Sequence, residues 1–562
     1  MKWKLFSLFR IITNARVRPV CYDITGTAKI ARAVRSRKPQ TMPVSRRAFL
    51  QLSSAAALAA AWTRLAPRSA KPDTTALYRK LASDPLRPQY HLLPAHNWMN
   101  DPNGPIFFRG HYHMFYQYNP QDAVWGNMNW GHAASSDMIH WKHEPVALSP
   151  TPGGPDRDGV FSGSAVLDNG KPTVIYTGVA PPTSESEATL RDGVHTWREA
   201  QCLAVAQDDD LRTWKKLPEP VIAAPPAGLA VTGFRDPCVW REGNSWMLIV
   251  GSGVQHKGGA ILLYDSPDLR HWTYLHTLVE GSSANEKGVN PVDTGEMWEC
   301  PDFFPLGGKH VLLISTMGKV RWKVGTYANR RFTPEKEGVV DWGAYYAAKT
   351  MLDADGERIL WGWITETRPA ADLIAAGWAG AMALPRVLSL NSENELQMDV
   401  APAAHQLRAA HTSISRDASA ARQKQLEDLR LHDLAAELIF EVRSRTDEFA
   451  IHLQSKTGEK FATISCANKS GSRELRVDTV SAPISGGVGS PVRLHIYLDG
   501  SVLEVFANET TSLTKRTYQI PSGPLTLKLE GAAELTSLDA WQMKPISKDR
   551  LTGTRFAVAP GR

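Results

Sequence analysis

Short runs of apolar and aromatic residues, separated by turn residues, dominate the chain from about residue 90 to 390. Clear examples are HMFYQY, PTVIYTG, SWMLIVGSG and KHVLLISTM, at residues 113–118, 172–178, 245–253 and 309–317. Runs of this length, rich in β-branched and aromatic residues, are typical of strands, and helical periodicity is nearly absent here. The pattern predicts an all-β domain over residues 85–390.

A weak repeat overlies these strands and indicates how they are arranged. An acidic residue, a Leu or Met and, three residues further on, a Trp recur three times, ending at Trp141, Trp214 and Trp272. The spacings of 73 and 58 residues are long for ordinary propeller blades but suit blades that carry long loops. We therefore expect a β-propeller, with a two-sheet sandwich as the alternative for any all-β region.

The pattern changes near residue 390. Residues 391–410 begin an Ala-rich, charged stretch and are predicted to form a connector. Beyond it apolar and polar residues alternate, as at Leu438, Phe440 and Val442, which is the mark of strands with one buried face. Residues 411–548 are thus predicted to form a β-sandwich.

The net charge of +7 is unevenly distributed. Residues 1–70 hold 14 of the 64 Lys and Arg residues but only one of the 57 acidic residues, so the remainder carries a net charge of −6. Nucleic-acid binding needs Lys and Arg clustered on the folded domain, which an acidic body does not offer. We therefore expect no nucleic-acid partner.

The basic N-terminus, residues 1–70, is better explained as an export signal. Arg46 and Arg47 precede a short Ala-rich run in SRRAFLQLSSAAALAAAW, which resembles a twin-arginine signal. The run is too short and too poor in Leu and Ile to span a membrane. We expect export to the periplasm or the medium by the twin-arginine machinery, without stable membrane insertion after processing, and translation from Met42 rather than Met1. An amphipathic or disordered basic tail is the alternative.

Cysteine spacing gives no sign of a metal or disulfide framework. The chain shows no CxxC or His-rich pairing, and its cysteines lie far apart: Cys21, Cys202, Cys238, Cys300 and Cys466. We therefore predict neither a zinc site nor structural disulfides.

Three acidic residues have unusual neighbours: Asp101 in WMNDPNG, Asp236 in GFRDP and Glu299 in MWECPDFFP. The inner strands of successive propeller blades converge on one axis, so acids distant in sequence can share a pocket. Glycoside hydrolysis needs two such carboxylates, and a third can hold sugar hydroxyls. The alternative is a purely structural role, because Asp-Pro-Asn-Gly and Arg-Asp-Pro are also ordinary turn sequences.

At these motifs the chain resembles glycoside hydrolase family 32, the invertase, inulinase, levanase and fructan exohydrolase group. The resemblance runs from about His91 to Phe506 and includes, besides the acidic motifs, QYNPQDAVWGNMNWGHAASSDMIHW, FSGSA, YYAAKTM, ILWGWI and GWAGAMALPR. It implies an all-β chain with a five-bladed β-propeller followed by a C-terminal β-sandwich. It also implies no metal or other cofactor and retaining cleavage of terminal β-fructofuranosides.

The resemblance assigns opposite roles to two of the acids. Asp101 would attack the anomeric carbon of fructose and must be ionised, which donors such as Asn100 favour. Glu299 would be the acid/base and must hold a proton, which burial beside Trp298 and a neighbouring carboxylate favour.

The remaining site residues are also implied by the resemblance. Asp236 would stay ionised and bind ring hydroxyls, with Arg235 orienting it. The rest of the substrate-binding shell would be formed by Asn100, Gln117, Trp125, Phe161 and Ser162. Whether Trp361 and Trp363 belong to the site or to the core is left open.

One departure from the family's pattern concerns the leaving-group side. Relatives that prefer sucrose often carry an acid after the Tyr of a GTYD segment, whereas this chain has Ala328. The missing carboxylate would remove a glucose contact, so we do not expect a strict sucrose specialist.

The sequence therefore predicts an exported enzyme that releases terminal fructose from sucrose or from inulin- or levan-type fructans through a fructosyl-enzyme intermediate. A fructosyltransferase differs only in the acceptor of the fructosyl group. Arabinan and xylan hydrolases share the propeller but invert configuration, with carboxylates about 6.5–9.5 Å apart instead of about 5–5.5 Å. A catalytically inactive fructan-binding protein is the non-enzymatic alternative, although all three acids are present.

Overall fold

The computed structural model describes residues 74–191, 194–283, 290–414, 419–469, 472–487 and 489–553. The predicted export signal, both candidate start codons and Cys21 lie outside the described residues. The described chain begins with helix α1, Thr74–Ser83, and is mostly strand thereafter. None of the helices described has the length and apolar character that crossing a membrane would require.

Five antiparallel sheets follow one another along the chain. The first contains β1 Asn97–Phe108, β2 His111–Asn119, β3 Asn129–Ser135 and β4 Lys142–Leu148. The second contains β5 Gly159–Asp168, β6 Lys171–Ala180, β7 Ala188–Arg191, β8 Val194–Ala206 and β9 Trp214–Lys216, with a 3₁₀ turn at Glu185–Glu187. The third contains β10 Val231–Glu242, β11 Ser245–Val254, β12 Gly258–Ser266 and β13 Thr273–Glu280.

The fourth sheet contains β14 Glu299–Leu306, β15 Lys309–Thr316, β16 Lys319–Ala328 and β17 Arg331–Val339. The chain then runs through β18 Tyr345–Leu352, β19 Arg358–Ile364, α2 Ala370–Ala376, β20 Trp378–Ala379, β21 Ala381–Met382, β22 Arg386–Leu390 and β23 Leu396–Val400. All of these last strands except β20 form the fifth sheet. The four strands singled out in the sequence are β2, β6, β11 and β15, the second strand of the first four sheets.

The first strand of each sheet lines a common axis. These inner strands β1, β5, β10, β14 and β18 contact one another in that order, and β18 contacts β1 again. The sheets therefore close into the five-bladed β-propeller that was expected. Closure is reinforced by β20, which pairs in parallel with the start of β1 through Asn97–Trp378 and Trp98–Ala379.

Every inner strand has a β-bulge. The strand register shifts between Met99 and Pro102, Val160 and Gly163, Arg235 and Cys238, Glu299 and Asp302, and Tyr346 and Lys349. A bulge leaves residues unpaired in the ladder and redirects their side chains. The five bulges therefore gather side chains from distant parts of the chain at one end of the axis.

The repeat that ends in Trp forms an outer turn in each of the first three blades. In the third blade, Asp268 accepts the backbone N–H groups of Arg270 and His271 at 2.9 Å each. Trp272 Nε1 donates to the carbonyl of Leu269, which has a φ of 64°. The equivalent apolar residues of the first two blades also have positive φ: Met138 at 66° and Leu211 at 56°. The repeat thus marks successive blades and has a structural role.

The propeller extends further than the sequence predicted. Strand β23 pairs with β22, so residues 396–400, which were assigned to the 391–410 connector, form the outer strand of the fifth blade. Leu396, Met398 and Val400 are buried and alternate with partly exposed residues. Three alternating positions are too few to separate a strand from an irregular segment by pattern alone.

The second domain follows a 3₁₀ turn at Pro402–Leu407. Its elements are β24 Arg408–Ile414, α3 Ser419–Asp428, β25 Ala435–Gln454, β26 Lys460–Lys469, β27 Ser472–Val477, β28 Val480–Pro483, β29 Val492–Asp499, β30 Val502–Ala507, β31 Thr511–Arg516 and β32 Thr526–Met543. The long strands β25 and β32 pair with each other and bridge two layers: one half of β25 pairs with β29 and the other half with β26. Leu438, Phe440 and Val442 are buried between the layers of this sandwich.

Buried charged residues join the two domains. Arg386 of the propeller donates to Asp341 Oδ2 at 3.0 Å and to Glu504 Oε2 of the sandwich at 2.6 Å. His91 contacts Glu504 and Asp499 through its two ring nitrogens, at 2.9 and 2.8 Å. All five side chains are fully buried, so losing one partner would leave another charge buried and unpaired. This network therefore fixes how the sandwich sits on the propeller.

Candidate active site

A cavity of about 190 Å³ lies at the end of the axis where the bulges occur. Its lining includes all nine residues named from the sequence: Asn100, Asp101, Gln117, Trp125, Phe161, Ser162, Arg235, Asp236 and Glu299. Tyr346 and Trp363 complete it. A larger cavity of about 400 Å³, lined by Asp302 and Lys349 among others, contains none of the three acids.

Asp101 lies in the bulge of β1 and accepts three hydrogen bonds. Asn100 Nδ2 donates to Oδ1 at 3.0 Å, while Ser162 Oγ and Cys300 Sγ donate to Oδ2 at 2.7 and 3.4 Å. Burial raises the pKa of Asp101; the bond from Ser162 opposes this rise and the charge of Glu299 adds to it. The donors therefore reduce the cost of burying this charge without cancelling it.

Asp236 lies in the bulge of β10 with a φ of 66°. Its backbone N–H donates to Thr177 Oγ1 at 2.9 Å, and its Oδ2 accepts the backbone N–H of Cys300 at 2.9 Å. Burial raises the pKa of Asp236 to about 7; Arg235 opposes the rise, and the other two carboxylates add to it. The charges of the other two carboxylates in this buried cavity therefore disfavour the ionised form of Asp236.

Arg235 was expected to orient Asp236, but its N–H groups donate to two glutamates instead. Nε and Nη2 donate to Glu299 Oε1 at 3.1 and 2.7 Å, and Nη1 donates to Glu199 Oε1 at 2.9 Å. Neighbouring residues of a strand direct their side chains apart, so Arg235 and Asp236 face different partners. Asp236 is instead held through Cys300 and Thr177.

Glu299 does not have the indole neighbour that was expected. Trp298 is packed against Gly259 and Gly281, and it is not part of the cavity lining. Glu299 instead receives the two Arg235 bonds on Oε1 and the Tyr346 hydroxyl on Oε2 at 2.9 Å. Both carboxyl oxygens of Glu299 are therefore held by hydrogen bonds from these two side chains.

Aromatic side chains form the walls of the cavity. Trp125 is 46% exposed and contacts Phe161 edge to face, with 5.9 Å between ring centroids. Trp363 lines the cavity and packs against Trp98 at 5.6 Å, whereas Trp361 is 1% exposed and belongs to the core. Of the two Trp residues left open, only Trp363 therefore faces the site.

No arrangement for a metal is found among the described side chains, where no group of three or more His, Cys, Asp or Glu residues is placed to hold an ion. Cys202, Cys238 and Cys300 are buried free thiols, and Cys466 is buried as well. The polar groups of the cavity therefore consist of carboxylates, amides, hydroxyls and one guanidinium.

Both domains match known family models. Residues 91–400 match the N-terminal domain of glycosyl hydrolases family 32, and residues 403–542 match the C-terminal domain of the same family. The chain belongs to glycosyl hydrolase family 32. It is therefore a glycosidase, and the cavity with the three acids is its candidate active site.

Several curated proteins are similar to this family 32 chain over most of their length. Sucrose-6-phosphate hydrolase from Zymomonas mobilis is 33% identical over 516 residues, which are 83% of this chain and 94% of that protein. Raffinose invertase from Escherichia coli is 34% identical over 494 residues, which are 81% of this chain and 95% of that protein.

Solved structures show the same fold. Fructan 1-exohydrolase IIa from Cichorium intybus has a TM-score of 0.69 and 26% identity, covering 82% of this chain and 98% of its own. A β-fructofuranosidase from Bombyx mori, solved as a mutant in complex with sucrose, has a TM-score of 0.66 and 27% identity, covering 85% of this chain and 99% of its own.

Two site residues were missed from the sequence. Tyr346 lies in YYAAKTM, a motif that carried the family resemblance, but its hydroxyl was not assigned a role. Glu199 is fully buried on β8 and contacts Arg235 from outside the cavity. A sequence signal existed: Glu199 and Gln201 alternate with apolar residues in a strand, and a charged residue on a buried face needs a partner.

Ala328 does not lie on the leaving-group side, so its expected place beside the glucose unit was wrong and the preference for sucrose stays a prediction without this support. Glu299 pairs with Ser315, which pairs with Val320, whereas Ala328 ends the same strand, β16, at its turn with Arg331. Eight residues of strand separate Val320 from Ala328, roughly 26 Å. Ala328 therefore carries no information about the preference for sucrose.

Proposed function

We propose that the protein hydrolyses terminal β-fructofuranosidic bonds with retention of configuration. The observation that carries this proposal is the meeting of Asp101, Asp236 and Glu299, from three separate inner strands, in one small cavity. A cavity of about 190 Å³ at the end of a packed axis suits one terminal sugar unit, which supports exo action. The invertase, β-fructofuranosidase and fructan exohydrolase among the similar proteins support fructose as that unit.

In the first step of the proposed mechanism, the carboxylate of Asp101 attacks the anomeric C2 of the fructosyl unit. The bond between C2 and the leaving oxygen breaks, and Glu299 gives its proton to that oxygen. The product is a fructosyl ester of Asp101 and a free alcohol. In the second step, Glu299 takes a proton from water, the resulting hydroxide attacks C2, and Asp101 leaves as a carboxylate.

Asp236 binds the sugar hydroxyls in this proposal. Its Oδ2 accepts the backbone N–H of Cys300 at 2.9 Å, so Oδ1 serves the substrate. The aromatic side chains of Trp125 and Phe161 offer apolar faces to the sugar ring, and Gln117 lines the floor.

We propose that the substrates are fructosides with an uncharged terminal fructosyl unit, sucrose and inulin- or levan-type fructans. The ionisable lining of the fructosyl cavity consists of three carboxylates, the Tyr346 phenol and one guanidinium that two glutamates already share. Such a surface repels a phosphate dianion on the fructosyl unit. Comparing kcat/KM for sucrose and for sucrose phosphorylated on its fructosyl unit tests this point, and a preference for the phosphate would contradict it.

The central experiment measures fructose release from sucrose, inulin and levan by the native protein, Asp101→Asn and Glu299→Gln. Each substitution keeps the shape of the side chain, and we expect kcat to fall by roughly 10³-fold or more. Glu296→Gln is the control, because this nearby glutamate contacts the backbone of His256 and lies outside the cavity lining. Either site variant retaining native activity would overturn the assignment.

Two product analyses test the stereochemistry of cleavage and the acceptor of the fructosyl group. In the presence of methanol, retention predicts methyl β-fructofuranoside, whereas the α-anomer would indicate inversion. At high sucrose concentration, hydrolysis predicts free fructose as the main product. Kestose-type products in excess of fructose would instead favour the fructosyltransferase.

We further propose that the protein is exported through the twin-arginine machinery, on the basis of the SRRAFLQL sequence. Replacing Arg46 and Arg47 with Lys should retain the active enzyme in the cytoplasm. Fractionation of cells that express the two forms provides the measurement, and unchanged export of the variant would contradict the proposal.

A further inference from the structure

Arg235 is placed between two glutamates. Its Nη1 donates to Glu199 at 2.9 Å, and its Nε and Nη2 donate to Glu299 at 3.1 and 2.7 Å. The side chain of Glu199 is fully buried, whereas those of Arg235 and Glu299 are 15% and 23% exposed. Glu199 therefore touches neither the cavity nor the substrate, and it can act on Glu299 only through Arg235.

Glu199 also holds the backbone that carries Arg235. Its Oε2 accepts the backbone N–H of Phe234 at 2.6 Å, while its Oε1 accepts the guanidinium. One side chain thus fixes both the start of the β10 bulge and the end of the Arg235 side chain. The two N–H groups that Arg235 offers to Glu299 depend on this support.

The charges of the three side chains favour the protonated form of Glu299. With Glu299 protonated, Glu199 and Arg235 form a neutral pair; with Glu299 ionised, the group of three carries a net negative charge. Without Glu199 the balance reverses, since an ionised Glu299 would then be the one carboxylate of this group of three that could neutralise Arg235, with Asp236 adding a charge that does not hydrogen-bond to it. Burial penalises net charge, so Glu199 offsets the effect of the guanidinium on the proposed acid/base.

The other groups around Glu299 do not offset the charge of Arg235 as Glu199 does. Those that face it or its neighbours are the hydroxyl of Tyr346, the carboxylates of Asp101 and Asp236, the thiol of Cys300 and the ammonium of Lys349. Tyr346 favours the ionised form, and the two carboxylates favour the protonated form but titrate themselves. Among the side chains that the structure describes, Glu199 is the carboxylate that contacts the guanidinium from outside the cavity lining.

The surroundings of Glu199 contain no second charge in place of Arg235. Its partner across β6 is Val179, and the side chains next to it on that face are Gln201 and Thr177, which hydrogen-bond to each other at 2.9 Å. The adjacent Arg198 is directed to Glu187, at 3.9 Å. Among the described side chains, Glu199 is therefore paired with Arg235.

We propose that Glu199 is a positioning residue that, through Arg235, orients Glu299 and keeps it able to donate a proton to the leaving group. The proposal rests on the assignment of Glu299 as acid/base in the preceding section. It adds a residue outside the cavity to the machinery and predicts that this residue controls the basic limb of the pH profile.

The test measures kcat/KM against pH for Glu199→Gln with two substrates, sucrose and p-nitrophenyl β-D-fructofuranoside. The amide keeps the shape and one acceptor but removes the charge. For sucrose we expect the basic limb to move to lower pH by about one unit, with KM nearly unchanged. The nitrophenyl substrate should lose at least several-fold less activity at the same pH, because its leaving group needs little help from an acid.

Two further variants make the outcome specific. Glu187→Gln, a glutamate paired with Arg198 in the same blade, should keep the native profile. The double variant Glu199→Gln with Arg235→Gln removes both charges, so its basic limb should return toward the native position even though its kcat is lower. This second variant keeps the test decisive if Glu199→Gln is poorly folded.

The results separate failure of this inference from failure of the proposed function. A native protein inactive on both substrates would overturn the assignment as a fructosidase. An active native protein whose Glu199→Gln variant keeps the native basic limb, moves it to higher pH, or loses equal activity on both substrates would overturn the role of Glu199 alone.

Discussion

At the scale of single residues, burial and hydrogen bonding have opposite effects on the pKa values of the buried aspartates. Burial raises the pKa of Asp101 above the ordinary range of an aspartate and that of Asp236 to about 7. Two short polar side chains donate to Asp101: Ser162 on the neighbouring strand β5, and Asn100, the preceding residue of β1. Activity in acid therefore depends on how well these groups keep Asp101 ionised.

Removing the hydroxyl of Ser162 should make the enzyme more sensitive to acid. Ser162 Oγ donates to Asp101 Oδ2 at 2.7 Å and lowers the pKa of Asp101, so Ser162→Ala raises that pKa. We expect the acidic limb of kcat/KM to move to higher pH by up to about one unit, measured with sucrose. Ser164→Ala is the control: Ser164 lies on the same strand but accepts the N–H of Val239 and lines the other cavity. An unmoved acidic limb in Ser162→Ala would contradict this account.

Removing the charge of Asp236 should have the opposite effect on that limb. The charge of Asp101 raises the pKa of Asp236, and because an electrostatic interaction between two titrating groups is reciprocal, Asp236→Asn should lower the pKa of Asp101 and move the acidic limb to lower pH. Loss of a charged hydrogen bond to the sugar should also reduce kcat/KM by roughly 10²-fold. The pH profile of this variant on sucrose gives both quantities. If the limb moves upward, the two carboxylates do not share the electrostatic coupling described here.

At the scale of elements, the inner strands do two things at once. Their ladders hold the blades together, and their bulges interrupt the ladders where Asp101, Asp236 and Glu299 are needed. Strand β20 pairs with the start of β1 beside this point, and the next residue, Gly380, lies against the carbonyl oxygen of Met99. The pairing that closes the propeller therefore involves the same strand that carries Asp101.

Gly380→Ala should disrupt the pairing of β20 with β1. Gly380 has a φ of 80°, and a Cβ there would lie 1.9 Å from the carbonyl oxygen of Met99. Gly356→Ala is a matched control, with a φ of 85° but open space around the Cβ, so it carries backbone strain alone. Urea unfolding should show a loss of about 1 kcal/mol for the control and of about 3 kcal/mol or more for Gly380→Ala. Equal losses would show that the close approach of Gly380 to Met99 does not contribute to stability.

At the scale of the whole molecule, buried charges attach the sandwich to the propeller beside an apolar core that both domains share. The contacts of His91 with Asp499 and Glu504 raise the pKa of His91 to about 9, although burial acts to lower it. Because the folded pKa exceeds the unfolded value of 6.5, this contribution is fully present below pH 6.5 and is lost as the pH rises through 9. Attachment of the domains should therefore weaken in alkaline solution.

His91→Gln should remove this pH dependence. Between pH 6.5 and 9 the native protein should lose up to about 3 kcal/mol of unfolding free energy from this group, and the variant should not. The difference between the two proteins in urea unfolding, measured at several pH values, isolates the effect. The exposed His271, replaced in the same way, serves as control. A constant difference between native protein and His91→Gln across this range would contradict the assignment.

Much of this fold is contained in local pattern. The alternation over β25, β29 and β30, the strands β2, β6, β11 and β15, and the turns ending in Trp214 and Trp272 all follow from short stretches of sequence, because hydrophobic period and turn chemistry are local properties. The same is true of the acidic motifs, since each lies within a few residues. The outer strand β23 escaped detection because five residues give too short a pattern.

By itself, the sequence determined the β architecture and the family, and it named nine of the residues that line the cavity, since these depend on residue types and their order. Only the tertiary structure decided which partner each charge has: Arg235 serves Glu299 and Glu199, Trp363 faces the cavity while Trp361 does not, and Ala328 lies far from the site. The physical reason is that bulges set the direction of each side chain, and contacts between blades join residues that are far apart in the chain. Neither can be derived from a linear pattern.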